Sequence, residues 1–128
     1  MRITFETRNG LCIMHLEGRF VTGSDSDYRR IKKELENRGF RKVVADCRQL
    51  PYLDSTGLTF MVGLHKMLRD AEGFFVLADI NHRVREVLRI TRLDMFLPVF
   101  ESVPDAIDTL ESRRGATSDT LRPVLLTA

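Results

Sequence analysis

Two rhythms of apolar residues alternate along the chain, and their order outlines the fold. Ile3-Thr4-Phe5-Glu6-Thr7-Arg8 alternates apolar with polar, the period of a half-buried strand. Asn9-Gly10 follows, a pair that tolerates the positive φ of a tight hairpin turn. Leu11-Cys12-Ile13-Met14-His15-Leu16 then returns as a second strand. Gly18 to Asp27 is a polar connection, with Ser24, Asp25 and Ser26 as candidate caps. A first helix is predicted beyond it, because Tyr28, Ile31 and Leu35 recur at helical spacing and Gly39 can stop it. Val43-Val44-Ala45-Asp46-Cys47 is apolar without alternation, which predicts a strand covered on both faces. Gln49-Leu50-Pro51 forms a loop, since Pro51 cannot continue the ladder.

A long helix is predicted over Leu58 to Leu68, and Gly73 lies beyond its end. Phe74 to Ala78 is another continuous apolar strand. Asn81 can cap the next helix, in which Val84, Val87, Leu88 and Thr91 mark the inward face while Arg83, Arg85, Arg89 and Arg92 face out. Leu97-Pro98-Val99-Phe100 is a short last strand, and Pro98 places it at a sheet edge. Ser102-Val103-Pro104-Asp105 is a capping signature with proline in the first turn, and it opens a helix through Ala106, Ile107 and Leu110. The expected fold is therefore α/β. It has a mixed sheet of about five strands that opens with an N-terminal hairpin, then parallel strands joined by right-handed crossovers, and about four helices largely on one side. Residues 1–112 should form one domain, with 113–128 a polar, mobile tail that ends in the apolar run Pro123-Val124-Leu125-Leu126.

Composition narrows the class. The chain has 128 residues, enough for one domain that buries its own core without staples. A formal charge of +2, from Lys and Arg spread among acids, argues against direct nucleic-acid binding. No apolar run approaches the ~20 residues of a membrane span, and the alternating first residues do not read as a signal peptide. Cys12 and Cys47 both fall in predicted strands and share no metal-ligand spacing. They are expected to be reduced core residues of a cytoplasmic protein, with no metal and no cofactor. His15 reads as a satisfied strand residue rather than a ligand.

Tyr52-Leu53-Asp54-Ser55-Thr56-Gly57-Leu58 joins the buried strand to the long helix. Ser, Thr and Asp at such a junction supply an oxygen that accepts a bond from an otherwise unpaired helix N–H. One cap needs one acceptor, and three candidates stand in a row, so Ser55 or Thr56 is expected to be spare. A spare hydroxyl at a helix start suits a phosphoryl group, because the free N–H groups and the macrodipole favour negative charge there.

Asp54-Ser55-Thr56-Gly57-Leu58, with Val43-Val44-Ala45-Asp46 before it and a helix ending in Glu72-Gly73 after it, resembles the STAS domain. Within that family it is most similar to the bacterial anti-sigma factor antagonists, over roughly Ile3 to Leu110. The resemblance implies a mixed sheet with helices largely on one side. It also implies phosphorylation of Ser55 by an anti-sigma factor serine kinase that the unphosphorylated protein sequesters, freeing a sigma factor. A serine phosphatase would reverse the modification. Neither the long Arg19 to Asp27 connection nor the tail beyond Arg113 fits the compact pattern of the antagonists. The expected assembly is a monomer or weak homodimer.

The long helix carries more apolar residues than docking requires. Leu58, Met61, Val62, His65 and Leu68 share the face assigned to the sheet, while Phe60, Leu64, Met67 and Ala71 form a second stripe. Either neighbouring helices cover that stripe or it is a partner surface beside Ser55. On the second reading the partner-binding residues are Asp54, Ser55, Thr56, Gly57, Phe60, Leu64 and Met67. The outward arginines are a solvated face, or else attract an acidic partner.

Enzyme readings lack parts. Ser55 has no Gly-x-Ser-x-Gly elbow. His15, His65 and His82 share no spacing that assigns a base, and no glycine-rich phosphate cradle exists. No catalytic residue is assigned. A STAS scaffold or ligand-sensing module not switched by phosphorylation is the alternative. A receiver domain with Asp54 as phosphoacceptor is more distant, because Glu17-Gly18-Arg19 offers no acidic pair for its metal.

Overall fold

The computed structural model describes residues 1–112; the expected tail, 113–128, lies outside the described residues. The elements are β1 (Arg2–Arg8), β2 (Leu11–Glu17), α1 (Asp25–Arg38), β3 (Lys42–Gln49), α2 (Ser55–Asp70), β4 (Phe74–Ala78), α3 (His82–Ile90), a 3-10 turn at Leu93–Met95, β5 (Val99–Phe100) and α4 (Val103–Ser112). The five strands lie in the order β1-β2-β3-β4-β5. Only β1 and β2 are antiparallel, running from Arg2 opposite Glu17 to Arg8 opposite Leu11, and the remaining pairs are parallel. The hairpin turn has φ of +52° at Asn9 and +80° at Gly10, the positive values its two residue types allow. Helix α1 ends on Gly39 in the left-handed conformation.

Side chains of the strands alternate between two separate cores. Cys12, Met14 and Leu16, with Val43, Ala45, Cys47, Phe75 and Leu77, face a large core shared with buried residues of α1, α2 and α3. Leu11, Ile13, Val44, Phe74, Val76 and Ala78 face the other way and pack with Val103, Ala106, Ile107 and Leu110 of α4. Three helices thus cover one face and one helix the other. This is why Val43-Val44-Ala45 of β3 and the whole of β4 read as unbroken apolar runs: each of those positions meets a core. Pro98 precedes the two-residue edge strand β5, where its missing N–H is tolerated. The 3-10 turn was not predicted from the pattern. It leaves Met95 and Phe96 exposed, with Ile90 nearby in sequence.

Near the C-terminal ends of β2 and β3, three strands share a polar ladder. His15 Nδ1 lies 2.6 Å from Asp46 Oδ2, and its Nε2 lies 3.0 Å from Glu6 Oε1. Burial raises the Asp46 carboxyl, but bonds from the Arg48 side chain and backbone N–H, and from His15, outweigh it and hold it below the ordinary aspartate value. Burial also pushes the thiols of Cys12 and Cys47 up, to about 11 and about 12, so both stay protonated at neutral pH.

Candidate functional site

Helix α2 begins where the sheet ends, and its first turn is built from the Asp54-Ser55-Thr56-Gly57 run. Asp54 is the N-cap, in extended conformation. Its Oδ1 accepts from the Gly57 N–H at 3.0 Å. Its Oδ2 accepts from the Thr22 N–H at 3.0 Å and from the Thr22 hydroxyl at 3.1 Å. These bonds, the Thr22 N–H first and the Gly57 N–H second, hold the Asp54 carboxyl below its ordinary value. An ionised carboxylate only accepts, so the Thr22 hydroxyl spends its proton on Asp54. The Thr56 hydroxyl, 3.1 Å from Thr22 Oγ1, must then donate to it.

Two hydroxyls are consumed by this arrangement, and Ser55 is left over. Its side chain is exposed and makes no hydrogen bond among the described residues. Its carbonyl accepts from the Thr59 hydroxyl at 2.9 Å, one turn along the helix. The count of acceptors in the sequence had left Ser55 and Thr56 as equals, and the contact with Thr22 separates them.

The loop carrying Thr22 is locked to the loop carrying Asp54. Phe20 and Leu53 form a parallel bridge. The Phe20 N–H donates to the Tyr52 carbonyl at 3.2 Å, and the Asp54 N–H donates to the Phe20 carbonyl at 3.3 Å. Gly57 is required by the same contact: a Cβ there would run into the Phe20 carbonyl oxygen and lie 3.0 Å from Leu53 Cβ. On the other side Asn81 caps α3 through its Oδ1 and donates from Nδ2 to the Pro51 carbonyl at 3.1 Å. Phe20 and Thr22 were missed in the sequence, where they sit in an unpatterned polar connection. The one available signal was Gly57 itself, since a glycine inside a helix costs about 1 kcal/mol against alanine and so hints at a close approach.

The second apolar stripe does not form an open surface beside Ser55. Leu64, expected at a partner surface, is fully buried in the large core. Phe60 is half-buried: its ring stacks on Tyr28 of α1 with centroids 4.4 Å apart, and it meets Phe20 at 5.4 Å. Met67 lines a cleft of about 290 Å³ with Leu35, Phe40 and Leu68. Twelve residues of helix separate it from Ser55, about 18 Å at the α-helical rise. Part of the physical reason is helix α1, whose Tyr28 takes in the Phe60 ring, with Gly63 leaving room for the Tyr28 hydroxyl; Leu64 sinks into the large core that α1, α2 and α3 share. What remains together at the surface is Asp54, Ser55, Thr56 and Thr22, with the edge of Phe60.

No cluster of three or more His, Cys, Asp or Glu able to hold a metal occurs among the described residues. Among them, too, no helix is long and apolar enough to cross a membrane.

A sheet of this topology with a capped serine turn opening α2 is the architecture of a STAS domain, and the STAS domain pattern matches residues 2–106. The chain belongs to the STAS domain family. It is 31% identical over 105 residues to the protein BtrV of Bordetella bronchiseptica, covering 80% of this chain and 88% of that one. It is 25% identical over 113 residues to the anti-sigma F factor antagonist of Paenibacillus polymyxa, covering 87% and 96%. Among solved structures it superposes on the Bacillus cell fate determinant SpoIIAA in its phosphorylated form with a TM-score of 0.64. The identity there is 17%, over 84% of this chain and 98% of that one.

Proposed function

We propose that this STAS domain is an anti-sigma factor antagonist switched by phosphorylation of Ser55. In the unphosphorylated form the Asp54–Thr56 turn and the Thr22 loop dock on an anti-sigma factor serine kinase and hold it away from its sigma factor. The observation that carries the reading is the unconsumed Ser55 hydroxyl at the first turn of α2, beside a carboxylate that already takes the cap. The similarity to a Paenibacillus antagonist supports the same class of partner.

Phosphorylation places about −1.5 to −2 charges next to the ionised Asp54. The helix N-terminus tolerates that charge in the free protein. A closely packed interface does not, because burying an unpaired ion costs on the order of 3–5 kcal/mol, and each 1.4 kcal/mol is about tenfold in affinity. Asp54 acts here by holding the turn, with both oxygens already engaged, and not as a base. A serine phosphatase acting on the modified form closes the cycle.

The test is radiolabel transfer from ATP by purified anti-sigma factor serine kinases of the same genome. Wild type is expected to take up label and Ser55→Ala none. Equal labelling of Ser55→Ala sinks the assignment.

A further inference from the structure

Tyr52, three positions before Ser55, has a cation on its ring from each of two other segments. The guanidinium carbons of Arg19 and Arg83 each lie 5.2 Å from its centroid. Arg19 comes from the β2–α1 connection and Arg83 from the first turn of α3, so stretches far apart in sequence converge on one side chain. Backbone bonds fix the convergence. Phe20, next to Arg19, donates to the Tyr52 carbonyl, and Asn81, at the head of α3, donates to the Pro51 carbonyl. The pair is therefore carried on the same locked loops as Ser55.

Neither guanidinium has a hydrogen bond or an ion pair among the described residues, and both are exposed. Several other arginines among the described residues are matched. Arg48 is bonded to Asp46, Arg85 lies 3.8 Å from Glu101, and Arg89 is bonded to Glu86. A tyrosine face orients a guanidinium without neutralising it. Two like charges held against one ring repel each other, and acids bound to them relieve that repulsion. The planar fork of each guanidinium matches a carboxylate in two-point geometry.

We propose that Arg19 and Arg83, braced on Tyr52, receive the carboxylates of an acidic segment on the protein that docks at Ser55. This rests on the reading of the Ser55 turn as a docking surface and names the chemistry of what docks there. The pair acts as a charge selector at the rim: it speeds encounter with an acidic partner and makes the complex sensitive to salt.

Two measurements test it separately from the switch. In the first, the full chain is titrated with a tetraglutamate peptide while arginine Nε–H signals are followed by NMR. Arg19 and Arg83 are expected to respond at concentrations several-fold lower than the exposed Arg29 and Arg41, and Tyr52→Leu should erase the difference. A uniform response of all four overturns the proposal, and so does an equal selective response to inorganic phosphate, which would make the site a general oxyanion holder. In the second, the kinase that labels Ser55 is bound to Arg19→Ala/Arg83→Ala. A loss of about tenfold is expected, with about two- to fivefold for each single change and a flatter salt dependence. If the double variant keeps wild-type affinity while Ser55 is labelled normally, this inference falls and the switch stands. If no kinase labels Ser55, the switch falls, and the peptide titration alone decides the cation pair.

Discussion

The body and the first turn of α2 began with the same kind of surplus and met opposite fates. The body of the helix carries more apolar side chains than one sheet can receive, and the first turn carries more hydroxyls than one cap can use. The fold absorbed most of the first surplus, with Tyr28 of α1 stacked on Phe60 and Leu64 buried in the large core. The loop before α1 absorbed only part of the second, taking Asp54 and Thr56 through Thr22 and leaving Ser55 outside. Burying apolar area is favourable wherever it happens, so extra apolar residues attract cover. A hydroxyl already solvated gains little from a new partner, so an extra one stays exposed unless geometry captures it.

Substitutions along the helix should therefore divide sharply by stretch. Leu64→Ala should cost the most, about 2–5 kcal/mol for a large core residue truncated to alanine, read as the shift in urea midpoint at constant slope. A change of under about 1 kcal/mol would mean that Leu64 is not sealed in the core. Gly57→Ala comes next. Its Cβ forces the Phe20 carbonyl back, and a cost of about 1–3 kcal/mol is expected from overpacking, with loss of the Thr22–Asp54 bond visible in the Thr22 amide shift. Asp54→Ala removes the cap and the clamp on Thr22 together, and a drop of a few degrees in Tm is expected. Ser55→Ala should fall within about ±0.5 kcal/mol of wild type, because nothing in the fold uses that hydroxyl. A large loss there would show that Ser55 belongs to the structure rather than to its surface.

Acid sharpens the contrast from the side of the sheet. Asp46 and Asp54 both have folded pKa values depressed below their unfolded ones. Each therefore contributes stability that is fully present above the ordinary aspartate range, about 3.9. That stability is lost as pH falls through the folded values. Urea midpoints should fall steeply below about pH 4. Asp46→Asn should flatten that limb more than Asp54→Asn, since Asp46 is nearly sealed, at 5% side-chain exposure, and bonded by both Arg48 and His15.

Much of the fold was readable because its signals are local. The Asn9-Gly10 turn, the Gly39 stop, the Asn81 and Ser102 caps and the unbroken runs of β3 and β4 each announce themselves within a few residues. The site was only half readable. Asp54, Ser55, Thr56 and Gly57 are contiguous and stand out as a junction. Thr22 and Phe20 reach them across more than thirty positions, through bonds that no periodicity encodes. The misplacement of Leu64 has the same origin. A helix pattern shows how wide the apolar stripe is but not which neighbour lies against it, so it left cover and partner surface both open. Tyr28 on Phe60 and the burial of Leu64 decide for cover over that part of the stripe.

The short bridge between Phe20 and Leu53 carries β2 and β3 past the edge of the sheet and fuses two connections into a single plate. Whatever grips residues 19–22 from outside therefore grips the serine turn as well. A displacement of either loop is passed to the other, so the first turn of α2 moves with residues 19–22 as one piece.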